Sequence, residues 1–250
     1  MPISQQSIDR LAVSVQPLVF ETGVKEAPYS STRGTVFLVG YEGGSYVLTA
    51  RHALQPDNLM PICVFPSDTS HKLIPLGKVF YVPYSPDGED FEDLAVISID
   101  TSRITHPDVA GARLIDMALV CNEWKKYAHE ALFFVLGYPE ERSSFNYETQ
   151  EFRSGRMILF GRYCGTSTLQ FHHILSVPDN LSLKTFSGLS GAPVFAWLEL
   201  PMQRPTPVLC GMVLRGTPES GIIHFLDRDV LLDALAIKHR LELEKIADDA

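Results

Sequence analysis

The feature that most restricts this chain is a succession of short apolar segments interrupted by turn residues. Between Gly34 and Asp100 it reads GTVFLVG, the turn YEGG, SYVLTA, LMPICVF, GKVFYVPY and DLAVISI. Each segment has strand length and is rich in Val, Ile, Phe or Tyr, so the spacing suits an all-β barrel or sandwich. After a polar, less regular stretch at about 101–130 the pattern recurs once, as ALFFVLGYP, GRMILFGRYC, HHILSV, GAPVFAW, PVLCGMVLRG and GIIHFL. Two β lobes are therefore expected, residues 1–115 and 116–250. The tail changes period: from Asp229 to Ala247, Val230, Leu231, Ala234, Leu235, Leu241 and Ile246 recur at near-helical spacing among charges. This predicts one amphipathic helix with Asp227 or Asp229 as its cap, and a shorter helix is expected near Ser4 or Ser7.

Composition narrows the function. A hydrophobic content of 45% is enough for a sizeable core. Lys and Arg number 21 against 30 Asp and Glu, and the formal net charge is -9 with no basic run, which speaks against a nucleic-acid partner. The start, MPISQQSIDRLAVSVQPLVF, has no basic segment leading into an apolar run, and no long apolar stretch follows, so neither a signal peptide nor a membrane partner is expected. Cys63, Cys121, Cys164 and Cys210 are widely separated, without a CxxC pair. Neither a disulfide framework nor a metal site or other cofactor is expected, and a reducing cytoplasm is the expected compartment.

The residues with chemical potential centre on FSGLSGAPVFAW, Phe186 to Trp197, where glycines flank Ser190. A serine hydroxyl attacks at neutral pH only with a base beside it. His52 is well mounted for that task, following the strand-like YVLTA in LTARHAL. The base needs an acid to hold its second ring nitrogen, and Asp93 opens EDLAVISID, just ahead of a buried strand.

TARH around His52, DLAVISI after Asp93 and GLSGAPVF around Ser190 together resemble the three signature segments of the trypsin-like (chymotrypsin-fold) serine peptidases, in that family's order, and LCGMVLRG resembles the strand lining its substrate cleft. The resemblance implies two six-stranded antiparallel β-barrels packed together with a C-terminal helix. It implies a serine endopeptidase in which His52, Asp93 and Ser190 form the triad and the N–H groups of Gly188 and Ser190 hold the negative oxygen of the tetrahedral intermediate. Lys184, beside Thr185, falls at the position that forms the base of the family's specificity pocket and would favour an acidic side chain. Leu214 and Gly216 would line the cleft, with Gly216 and Gly221 leaving the pocket open. Leu189 stands where enzymes activated by cleavage carry an aspartate, and Leu214 and Arg215 replace a serine and a tryptophan. These departures, with the missing disulfides, fit an intracellular or bacterial type that acts on a protein or peptide substrate, restrained by narrow specificity or by an activating partner protein.

Each residue also has a plainer reading. A lone GxSG is commonly a turn, and a lone histidine or aspartate is commonly structural. His172 and His173 are adjacent, so on a strand they face opposite ways and do not share a metal; His224 and the Tyr81–Tyr84 segment are read as core. Two rivals remain: an α/β-hydrolase using Ser190, Asp229 and His239, which would need a glycine where Ala192 stands, and a catalytically idle barrel acting as a peptide-binding or scaffold module.

Overall fold

The structure, a computed structural model, describes residues 5–30, 32–54, 61–67, 70, 72–82, 93–117, 123–146, 148–149, 151–178, 183–199 and 206–248. In the first lobe, β1 (Val15–Phe20), β2 (Gly34–Tyr41), β3 (Gly44–Ala50), β4 (Ile62–Cys63), β5 (Leu76–Tyr81) and β6 (Leu94–Ile99) form one antiparallel sheet in the order β4-β1-β2-β3-β6-β5. The short β7 (Ile115–Asp116) adds to β2 in parallel. In the second lobe, β8 (Leu132–Gly137), β11 (Met157–Thr166), β12 (His172–Ser176), β13 (Pro193–Leu198), β14 (Thr206–Thr217) and β15 (Ile222–Asp227) close into a six-stranded barrel. A side hairpin, β9 (Ser143–Asn146) with β10 (Glu151–Ser154), precedes β11.

Counting six strands per lobe in chain order, both lobes share the cyclic order 1-2-3-6-5-4. The ring closes in the second lobe. In the first, β4 and β5 do not pair among the described residues, so the expectation of two closed barrels gives way to one barrel and one curled half-barrel sheet. The reason lies in the LMPICVF run: prolines at 61 and 66 bracket its ICVF portion, and residues without an N–H cannot extend a ladder. One backbone bond, from Ile74 N–H to Val64 O at 2.8 Å, spans the gap. The result is a β-barrel-rich fold compatible with a chymotrypsin-like arrangement.

Four helices complete the described chain: α1 (Gln5–Ala12), α2 (Pro107–Ala110), α3 (Trp124–Tyr127) and α4 (Arg228–Asp248). Asp227 caps α4, its Oδ1 accepting the Asp229 N–H at 3.0 Å. The helix lies on β14, β15 and β6, bridging the lobes. There Lys238, almost wholly buried, pairs with Glu242 at 3.0 Å, while the Tyr46 hydroxyl of β3 meets His239 Nδ1 at 2.8 Å. One apolar cluster runs through both lobes and α4, joining Leu48 and Val96 to Leu136, Phe195, Leu226 and Leu235; a second, with Trp124, Phe133, Leu175 and Phe225, fills the closed barrel. Among the described residues no helix is long and apolar enough to cross a membrane. Among the described residues Cys63, Cys164 and Cys210 form no disulfide, and Cys121 lies outside the described residues.

Candidate active site

β3 and β6 pair in a register that sets Ala50 opposite Leu94, so the residues just beyond them, Arg51–His52 and Asp93, leave the sheet side by side. His52 enters a 3-10 turn, Arg51–Leu54. Asp93 holds it twice: Oδ1 accepts the His52 backbone N–H at 2.9 Å, and Oδ2 lies 2.5 Å from ring Nδ1. An ionised carboxylate can only accept, so Nδ1 donates to it, and in a neutral ring Nε2 is then the nitrogen left to accept a proton. The imidazole is about half exposed (51%), whereas the carboxylate is mostly covered (18%).

Ser190 occupies the bend before β13. Thr35, fully buried on β2, clamps that bend from the other lobe: its N–H donates to Ser190 O at 2.8 Å and its hydroxyl to Gly188 O at 2.8 Å. The same hydroxyl accepts the Tyr138 N–H at 2.9 Å, while Thr49 Oγ1 donates to Thr35 O at 2.9 Å. Gly34 next to it is a close-approach point, since a methyl group there would lie 2.8 Å from Ala53 Cβ and 3.1 Å from Ser190 O. The turn carrying the imidazole and the bend carrying the hydroxyl thus press on one residue.

Gly188 and Gly191 both have positive φ, 89° and 88°. A Cβ at Gly188 would meet Tyr138 O at 2.4 Å and Glu140 N at 2.6 Å, so this glycine is required by the 138–140 backbone behind it. Ser187 O accepts the Glu140 N–H at 2.8 Å. Because a trans peptide directs its C=O and N–H oppositely, the Gly188 N–H points away from that segment. Among the described residues neither the Gly188 nor the Ser190 N–H donates a hydrogen bond.

His52, Asp93, Phe186, Ser187, Ser190, Leu214, Arg215 and Gly216 line a single cleft of about 380 Å³ between the lobes. The chain matches no family model and no curated protein. What the cleft can do must come from its own geometry.

In that geometry the Ser190 hydroxyl donates to Leu214 O at 3.1 Å, and no hydrogen bond joins it to His52. Lys184 and Thr185, assigned to the specificity pocket from sequence, are exposed and stand outside the described cleft lining. The Lys184 N–H binds the Glu141 carboxylate at 3.0 Å, and Thr185 Oγ1 accepts the Ser187 N–H at 3.1 Å, so both serve the shape of the loop. Gly221 sits in the turn between β14 and β15, also off the lining. Phe186, Ser187 and Arg215 stand in the wall instead. Sequence reasoning gave Phe186 and Ser187 no role, although they immediately precede the Gly188 turn, and noted Arg215 only as a departure.

Elsewhere, His173 is buried on β12 with Asp227 Oδ2 at 2.8 Å and the Tyr163 hydroxyl at 2.8 Å, while Lys125 joins Asp227 at 2.5 Å. Burial opposes ionisation of Asp227, but the hydrogen bonds from His173, the Asp229 N–H and Lys125 outweigh it and hold its pKa below the ordinary value. His172, its neighbour, is buried too; His224 is half-buried on β15. None of these histidines lines the cleft as described. Asp229 pairs with Lys125 and Arg228, and His239 with Tyr46, so the α/β-hydrolase rival lacks its constellation as well as its parallel sheet. Tyr81 is partly buried, with Arg51 stacked on its ring at 4.9 Å, and Tyr84 lies outside the described residues. Among the described residues no group of three or more His, Cys, Asp or Glu side chains is arranged to hold a metal ion.

Proposed function

We propose that this protein is a serine endopeptidase of the chymotrypsin-like kind, cleaving a restricted protein substrate through an acyl-enzyme. The observation that carries this reading is the meeting, in one cleft, of an imidazole held twice by a carboxylate and a hydroxyl flanked by two N–H groups that have no acceptor among the described residues. Rotation about the serine Cα–Cβ bond moves Oγ from Leu214 O toward His52. Nε2 then takes the hydroxyl proton as oxygen attacks the peptide carbonyl, and the carbonyl oxygen gains its negative charge between the Gly188 and Ser190 N–H groups. His52 returns the proton to the departing amine. A water molecule, deprotonated by the same nitrogen, cleaves the acyl ester and restores Ser190. Asp93 keeps the imidazole in the required tautomer throughout. Cys63, Cys164 and Cys210, in no disulfide among the described residues, favour a reducing compartment, the cytoplasm, and narrow specificity or an activating partner would supply restraint.

A second reading, an idle barrel that binds a peptide or scaffolds a partner, is favoured by the serine hydroxyl resting on Leu214 O. An alkyl fluorophosphonate followed by intact mass measurement separates the two. The peptidase reading expects one adduct at Ser190, absent in Ser190→Ala and slowed by about 10⁴-fold in His52→Ala. Folded wild-type protein that takes up no reagent would assign the chain to the binding module.

A further inference from the structure

The cleft walls decide which side chain the proposed chemistry accepts. In the tetrahedral adduct the carbon bonded to Ser190 Oγ carries an oxygen, held by the Gly188 and Ser190 N–H groups, and a leaving nitrogen, which must lie within reach of His52 to be protonated. The remaining substituent is the α-carbon of the residue that donates the carbonyl. It therefore points away from His52, toward the wall contributed by the second lobe: Phe186, Ser187, Leu214, Arg215 and Gly216.

Gly216 on β14 would leave a slot in that wall, but the Phe186 ring lies against it. A methyl group on Gly216 would meet Ile222 O of β15 at 2.5 Å and come within 3.1 Å of both Ile223 Cα and Phe186 Cδ2, so the ring and the β15 backbone together close on this glycine. The ring is 7% exposed and packs into the cluster containing Leu183, Val213 and Ile223. Its segment is anchored on both sides of the ring, by the Lys184 N–H on the Glu141 carboxylate and by the Glu140 N–H on Ser187 O. A bulky substrate side chain would have to expel an aromatic ring from a close-packed core, which strains its neighbours.

We propose that Phe186 restricts the residue donating the scissile carbonyl to a small side chain, that of glycine, alanine or serine, and that Phe186 rather than Lys184 sets this preference. The proposal rests on the serine-peptidase reading. It is tested on the full chain with two diphenyl aminoalkylphosphonates, one bearing a methyl and the other a benzyl side chain, alongside the fluorophosphonate that carries no such group.

Wild-type Ser190 is expected to react at least about tenfold faster with the methyl than with the benzyl reagent, a ratio that a few misfitting carbons readily produce. Phe186→Ala should erase or reverse that ratio, and Phe186→Leu, which keeps more of the core filled, should lower it. Equal wild-type rates, or an unchanged ratio in a folded variant, would overturn the proposal while fluorophosphonate labelling kept the peptidase reading intact. Failure of the fluorophosphonate to label folded wild type would overturn both. If neither variant folds, the wild-type ratio alone decides.

Discussion

Thr35, outside the described cleft lining, holds the Ser190 bend from the facing lobe. Its hydroxyl takes the Tyr138 N–H and gives its own proton to Gly188 O, so it spans the two segments that orient the Gly188 peptide. Thr35→Val keeps the shape and removes both bonds, leaving a buried donor and a buried acceptor unpaired. A loss of about 2 kcal/mol in chemical denaturation is expected, together with a slower fluorophosphonate reaction at Ser190 as the 188–190 bend loses one of its two anchors on β2. A variant with wild-type stability and labelling rate would show the clamp to be dispensable. The sequence offered no hint of this residue, since nothing in GTVFLVG marks its threonine. Ser190, His52 and Asp93 were legible because each sits at the edge of a recognisable local pattern, a glycine turn or a strand end. The place of Lys184, exposed and off the described lining, was not legible, because position in the chain does not say which way a loop residue faces.

Among the elements, α3 and the start of α4 are held to the closed barrel through Asp227, which joins His173 on β12 and Lys125 on α3. Its folded pKa lies below the ordinary aspartate value of 3.8, so its contribution is fully present above that value and is lost as pH falls through the lower, folded value. Burial pulls Lys125 down but Asp227 and Asp229 hold it up, so the pair stays charged at neutral pH. Asp227→Asn is expected to cost about 2 kcal/mol at pH 7, because it removes the carboxylate that His173 and Lys125 both bind. Denaturation midpoints measured from pH 7 down to pH 3 should converge for the two proteins as the wild type loses its advantage. Parallel curves would mean that Asp227 is not the titrating group. The tail helix and its Asp cap were readable from periodicity and capping chemistry. The partners of the Asp227 carboxylate, on β12 and α3, were not, because strand pairing and helix docking bring them together.

Over the whole molecule, the two lobes repeat one strand order yet differ in closure, and a single apolar cluster crosses from the first lobe through β8, β13, β14 and α4. Such a shared core predicts one cooperative transition. Urea unfolding followed by tryptophan fluorescence, from Trp124 inside the barrel and Trp197 in the shared cluster, should coincide with far-UV circular dichroism of the whole chain. Separate midpoints would mean that the lobes unfold independently. The sequence by itself determined the β-rich character, the tail helix and the three segments that carry the hydroxyl, imidazole and carboxylate, because strand length, helical period and turn chemistry are written within a few neighbouring residues. Only the tertiary structure decided the open seam between β4 and β5, the Thr35 clamp on a glycine 153 positions away and the aromatic ring against Gly216. These depend on which distant backbones come to lie side by side, and that is a property of packing in three dimensions.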